Sequence, residues 1–114
     1  MPTARIAKEL NDGVYFLTPT IRNWYYIFDR YERWQILTDS LNWCRENRAL
    51  RIHAYVFMLN HLHLIVSAPD VAGFVCDFKK FTSKKLRRSL EEYEPDVLGL
   101  FLDEDGSYTF WKSD

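Results

Sequence analysis

Apolar residues along the chain recur at two spacings, every second position or every third to fourth, and each switch marks a predicted element. After the turn signal Asn11-Asp12-Gly13, the stretch Val14 to Ile21 alternates loosely and is rich in β-formers. It reads as a first strand, with Pro19 near its end. Asp29 to Arg48 reads as a helix whose stripe is Tyr31, Trp34, Leu37, Leu41 and Cys44. Leu50 to Met58 returns to period two, with Ile52, Ala54, Val56 and Met58 on one face and His53, Tyr55 and Phe57 on the other. Leu59-Asn60 is short enough for a tight turn or a bulge. His61 to Ala68 is a third strand, and Pro69-Asp70 stops it and caps the next element. That element is a helix over Val71 to Glu92, with Phe74, Val75, Phe78, Phe81, Thr82 and Leu86 as its buried stripe. An acidic loop with Pro95 and Gly99 then leads to Gly106 and a last aromatic strand, Ser107 to Trp111.

Strand, helix, strand, strand, helix, strand is the order of the α+β ferredoxin-like βαββαβ fold. Its expected form is an antiparallel four-stranded sheet with two helices on one face. The 114 residues suffice for one core, and no repeat or low-complexity linker divides them, so residues 1–114 read as a single domain. Cys44 and Cys76 lack a CxxC spacing, as free thiols of a cytoplasmic protein do. Neither Met1 to Leu10 nor any later stretch has the apolar run of a signal peptide or membrane span. The expected location is cytoplasmic, with no membrane partner.

The net charge of −1 argues against a nucleic-acid partner only as an average. Six of the fifteen basic residues fall between Lys79 and Arg88, leaving nine basic against sixteen acidic residues elsewhere, a balance of −7. Seven of those acids follow directly, between Glu91 and Asp105. On the second helix Lys80, Lys84 and Arg87 share the side opposite the apolar stripe, flanked by Lys79, Ser83 and Arg88, while Lys85 falls toward the stripe and has to snorkel. Charge runs usually form a solvated face. No acid interrupts Phe78 to Leu90, however, and a single-sign stripe suits salt-dependent, sequence-independent phosphate contact. Trp24, Tyr25, Tyr26 and Phe28 follow the first strand. They suit either base stacking or closure of the core edge.

His61 and His63 stand two apart on the third strand, so they project to one face, about 7 Å apart along the strand. Leu62, Leu64 and Val66 project to the other. Two neutral imidazoles side by side can bind one divalent cation, leaving positions for water and phosphate oxygens. An isolated HxH is more often a pair of half-exposed strand histidines. His53, on the neighbouring strand, faces the same side or not according to the hairpin register.

The stretch Ile52 to Val66, with Met58-Leu59-Asn60-His61-Leu62-His63 at its centre, resembles the signature of the HUH single-tyrosine transposases. These comprise the small insertion-sequence transposases and the repeat-associated tyrosine transposases. Leu59 stands where the family usually has proline. Phe78-Lys79-Lys80-Phe81-Thr82-Ser83 is similar to an element of the family's second helix, Phe110-Trp111-Lys112 to its aromatic strand and, more weakly, Tyr15-Phe16-Leu17-Thr18 to its first strand. The resemblance implies a DNA transposase-type enzyme that binds single-stranded or hairpin DNA and cuts and rejoins it. It implies His61 and His63 as ligands of Mg2+ or Mn2+. His53 and Asn60, from their positions beside the pair, are candidate supporting residues, and the charge run makes Lys79, Lys80, Lys84, Arg87 and Arg88 the candidate DNA contacts.

In the family a tyrosine hydroxyl attacks the phosphodiester, assisted by the metal. That tyrosine, with a third metal ligand, sits on a helix beyond the aromatic strand. No tyrosine of this chain matches it, and Tyr108 and Tyr93 are weak substitutes. Two expectations stay open: a C-terminally incomplete domain of a longer protein, or a non-catalytic relic that still binds DNA. The family acts as a homodimer in some members and as a monomer in others. A nucleic-acid-binding sheet of another kind and a regulatory ferredoxin-like domain with an incidental HxH remain as alternatives.

Overall fold

The computed structural model describes residues 8–11 and 13–113, with side chains from Gly13 onward. Asp12 of the predicted turn, most of the Met1 to Leu10 stretch and Asp114 lie outside the described residues. The architecture is α+β. A short strand β1 (Lys8–Asn11) hairpins into β2 (Val14–Leu17), followed by helix α1 (Arg33–Asn47) and strands β3 (Arg51–Phe57) and β4 (Leu62–Ser67). Helix α2 (Val71–Tyr93) and a single turn, α3 (Pro95–Leu98), complete the order. β2, β4 and β3 form the antiparallel body of the sheet, with β1 along the outer side of β2, in the order β1-β2-β4-β3. No helix among the described residues is long and apolar enough to cross a membrane.

The central strand β4 carries the period-two pattern cleanly. Leu62, Leu64 and Val66 are buried, and His63, Ile65 and Ser67 are half-buried. The leucine side shares its core with Leu37, Leu41 and Cys44 of α1 and with Phe74, Phe78 and Leu86 of α2. The histidine side is the open face of the sheet. β3 departs from simple alternation at His53, where Ile52 pairs with Val66 but Ala54 pairs with Ile65. The extra residue is a bulge that moves Ile52 to the face of Tyr55 and Phe57, and period two cannot reveal it. Beyond it Tyr55 and Phe57 pair with Leu64 and Leu62, while Val56 pairs with His63 on the open side.

Helix α1 begins at Arg33 rather than Asp29 because Tyr31 and Glu32 adopt φ of 57° and 55°, outside the right-handed helical region. The predicted stripe is corrected with it: Tyr31 and Trp34 are exposed, and Arg33 and Ser40 take inward positions beside Leu37, Leu41 and Cys44. The Arg33 guanidinium is fully buried. It donates to Glu94 (2.6 Å), Ser89 (2.9 Å) and the Ile27 carbonyl (3.1 Å). Arg30 binds the same Glu94 carboxylate from the surface side at 2.9 Å.

Helix α2 starts where the sequence places it, with Asp70 accepting from the Gly73 amide at 2.9 Å. Its buried stripe extends to Val71 and Leu90, but Phe81 is only half-buried. The predicted fourth strand, Ser107 to Trp111, does not join the sheet as a strand. It makes isolated bridges, Ile21 with Trp111 and Leu102 with Tyr108. Its aromatic residues serve the core instead: Phe110 and Trp111 are buried, and the Trp111 indole donates to the buried Thr82 hydroxyl at 2.8 Å. The edge of β2 is taken by Lys8–Asn11, which pairs with it antiparallel.

Candidate metal centre and nucleic-acid surface

The turn between β3 and β4 builds the histidine site. The Met58 amide donates to the His61 carbonyl at 2.8 Å, closing a two-residue turn at Leu59-Asn60. The segment after β2 wraps this turn. Ile21 donates to the Asn60 carbonyl (2.8 Å), and Ile27 and Phe28 donate to the Leu59 carbonyl (3.3 and 3.2 Å). The turn therefore draws on the carbonyl of Leu59, an atom that proline also has.

Asn60 is 7% exposed and fixes the chemistry of His61. Its side-chain nitrogen donates to the Trp24 carbonyl at 2.8 Å, and a carbonyl only accepts, so the amide orientation is set. The amide oxygen then faces His61 Nδ1 at 2.8 Å. That oxygen only accepts, so Nδ1 carries the proton and Nε2 of neutral His61 keeps its lone pair. Burial, helped by the neighbouring His63, holds the His61 imidazole below its ordinary pKa, which favours the neutral, ligand-competent form.

His63 is set by its neighbours on β2. Phe16 stacks on its ring with centroids 5.6 Å apart and planes 11° apart, and Thr18 Oγ1 lies 3.4 Å from Nδ1. The two imidazoles approach each other more closely than the strand rise implies, with centroids 4.9 Å apart and planes at 87°. Imidazoles bound through nitrogens about 2.1 Å from one ion place their centroids roughly 4.6 Å apart at a right angle and roughly 5.3 Å apart at a tetrahedral angle. The observed spacing falls between those values. No group of three or more His, Cys, Asp or Glu side chains gathers there among the described residues. The described residues thus offer two nitrogens, and water or phosphate oxygens could fill other positions.

The other predicted residues do not all converge on this point. His53 hydrogen-bonds Ser67 Oγ at 3.0 Å, four residues along β4 from His63 and so about 13 Å away along the strand. Tyr93 stacks on Tyr31 at the far end of α2, and its hydroxyl is pushed above the ordinary phenol range by Glu92, the wrong direction for a nucleophile. Tyr108 lies under the Arg87 guanidinium, 4.7 Å from the ring centroid. Neither tyrosine touches the histidine pair.

The basic residues lie on α2, which packs against the sheet face opposite the histidines. Lys80, Lys84 and Arg88 are exposed along one side, Arg87 leans over Tyr108, and the Lys79 ammonium donates to the Lys112 carbonyl at 3.3 Å. Of the aromatic group, Trp24 and Tyr26 are exposed, Tyr25 is half-buried and Phe28 is fully buried. Lys112 places its ammonium 5.0 Å from the Trp24 ring. Phe16, Thr18 and the Trp24 carbonyl are site components that the HxH spacing does not announce. Phe16 and Thr18 were accessible through their own i, i+2 spacing on the first strand.

Asn60→Ala is expected to weaken Mn2+ binding roughly 10-fold, since the partner that orients a ligating histidine carries that order of effect. Calorimetric titration of the variant, beside its melting curve, checks this. Unchanged Mn2+ affinity would remove Asn60 from the site. No protein-family model matches the sequence, and no curated protein is significantly similar to it.

Proposed function

We propose that the chain is a domain of the HUH single-tyrosine transposase kind, which holds a divalent cation on His61 and His63 and acts on single-stranded or hairpin DNA. The observation that carries this is the histidine pair on the open face of the central strand, with Asn60 bound at Nδ1 of His61 and Nε2 left free to ligate. Imidazole nitrogens suit Mn2+ better than Mg2+, which prefers an all-oxygen shell. The bound cation would polarise a phosphodiester as a Lewis acid. His61 and His63 would hold it, and Phe16 and Thr18 would keep the second ring in place. The fold is proposed to be ferredoxin-like, with its last strand reduced to bridges. In support, the Arg22 amide donates to the Phe110 carbonyl at 2.8 Å and the Lys112 amide to the Thr20 carbonyl at 2.7 Å.

Catalysis by the described residues alone is not proposed, because the two substitute tyrosines are placed elsewhere, Tyr93 against Tyr31 and Tyr108 under Arg87. A hairpin DNA with a single-stranded flank, labelled with fluorescein, tests the function by anisotropy in Mn2+ and in EDTA. Affinity is expected to rise with Mn2+, and the rise to vanish in His61→Ala. The metal-independent, salt-sensitive part should remain. A denaturing gel of the same mixture should show no covalent protein–DNA adduct. Equal affinity with and without Mn2+ in the unsubstituted chain would contradict a metal-assisted DNA function.

A further inference from the structure

A groove of about 380 Å³ opens between α1 and α2, on the side of the molecule away from the histidines. Trp43 of α1 and Phe81 of α2 form its apolar walls, with centroids 6.4 Å apart and planes 24° apart. Lys80, Lys84, Lys85 and Arg88 surround them. Lys80, Lys84 and Arg88 recur every fourth residue, so one cation sits on each successive turn, about 6 Å apart along the helix axis. The acid in the lining, Asp77, is already engaged by the Arg48 guanidinium at 2.7 Å, so the cations keep their excess.

Trp43 is 42% exposed, and Phe81 is half-buried despite falling in the apolar stripe of the helical pattern. A ring left in solvent beside four cations can stack on a planar partner that carries negative charge. We propose that this groove binds single-stranded nucleic acid, with an unpaired base on the open face of Trp43 and the flanking phosphates on Lys80, Lys84 and Arg88. Lys85 has a different task, because its ammonium lies 5.7 Å from the Phe81 ring and covers that side of the aromatic wall. A solvated helix face requires no groove and no exposed indole. A duplex-binding stripe would leave Trp43 without a partner, since paired bases are not free to stack on it. The assignment takes from the proposed function only the class of partner. It does not depend on the metal.

The test is anisotropy of fluorescein-labelled dT16 in EDTA, against an abasic deoxyribose-phosphate oligomer of equal length. Trp43→Leu is expected to weaken dT16 binding about 10-fold, within the range of one stacked base, and Trp43→Phe to restore most of it. Lys80→Gln with Lys84→Gln should lower the salt slope by about 1.4, the value for two single-strand phosphate contacts. His61→Ala should change nothing in this assay, so failure of the metal centre and failure of the groove are separable. Melting curves confirm that each variant is folded. Trp43→Leu within twofold of the unsubstituted chain, or an abasic oligomer that binds as tightly as dT16, overturns the proposal.

Discussion

Glu94→Ala should lower the unfolding free energy by about 3 kcal/mol, read as a shift of the urea midpoint at constant slope. The reason is what it leaves behind. Arg33 is fully buried, and Glu94 is its carboxylate partner at 2.6 Å. Removing one member of a buried pair strands a charge in the core, whereas removing both can be nearly neutral. The double replacement Arg33→Met with Glu94→Leu should therefore recover most of the loss. The pH dependence has a definite sign. Partial burial pushes the Glu94 carboxyl up, but its hydrogen bonds to Arg33 and Arg30 outweigh this and hold it below the usual 4.5. Its contribution is present above that value and is lost as pH falls through the depressed native one. A single variant within 1 kcal/mol of the unsubstituted protein, or a double variant weaker than the single, would show that the pair does not organise this corner.

His61→Ala and His63→Ala should each reduce divalent-cation affinity by roughly 100-fold or more, beyond the 10–100-fold range for a residue that only supports a ligand. Among the described residues no other His, Cys, Asp or Glu side chain joins the pair in a metal-holding group, so losing either histidine leaves a single imidazole no better than a surface histidine. The fold should survive, because both rings are half-buried on the open face and the core side of β4 is carried by Leu62, Leu64 and Val66. Binding should also fall on acidification, since a protonated imidazole has no lone pair to give. Calorimetry with Mn2+ at neutral pH measures both variants. Retention of full affinity in either would remove that histidine from the site.

The sequence showed the central strand most clearly, because Leu62 to Ser67 is buried on one side and open on the other. It showed α2 for the same reason, together with the cap at Asp70. What it concealed has identifiable causes. The bulge at His53 breaks the count of two, so Ile52 changes face and His53 meets Ser67, while the hairpin register keeps it away from the site. Tyr31 and Glu32 spoil the start of α1 through backbone conformation, which composition does not display. The segment 107–111 has the residues of a strand but spends Phe110 and Trp111 on the core, with only isolated bridges to its neighbours. Arg33 reads as a surface residue until its partner Glu94, 61 positions away, comes beside it. Within the candidate site, the proximity of His61 and His63 was legible from their spacing. The tie from Asn60 to the Trp24 carbonyl was not, because it joins two turns distant in the chain.

The chain has three histidines, so one spectrum can separate the proposed ligands from a control. Mn2+ broadens nuclear resonances according to distance, and His53 lies well away along the strand. Substoichiometric Mn2+ added during observation of the histidine ring signals should erase those of His61 and His63 first and leave that of His53 sharp. Equal broadening of all three, or loss of the His53 signal ahead of the pair, would contradict a cation site on His61 and His63.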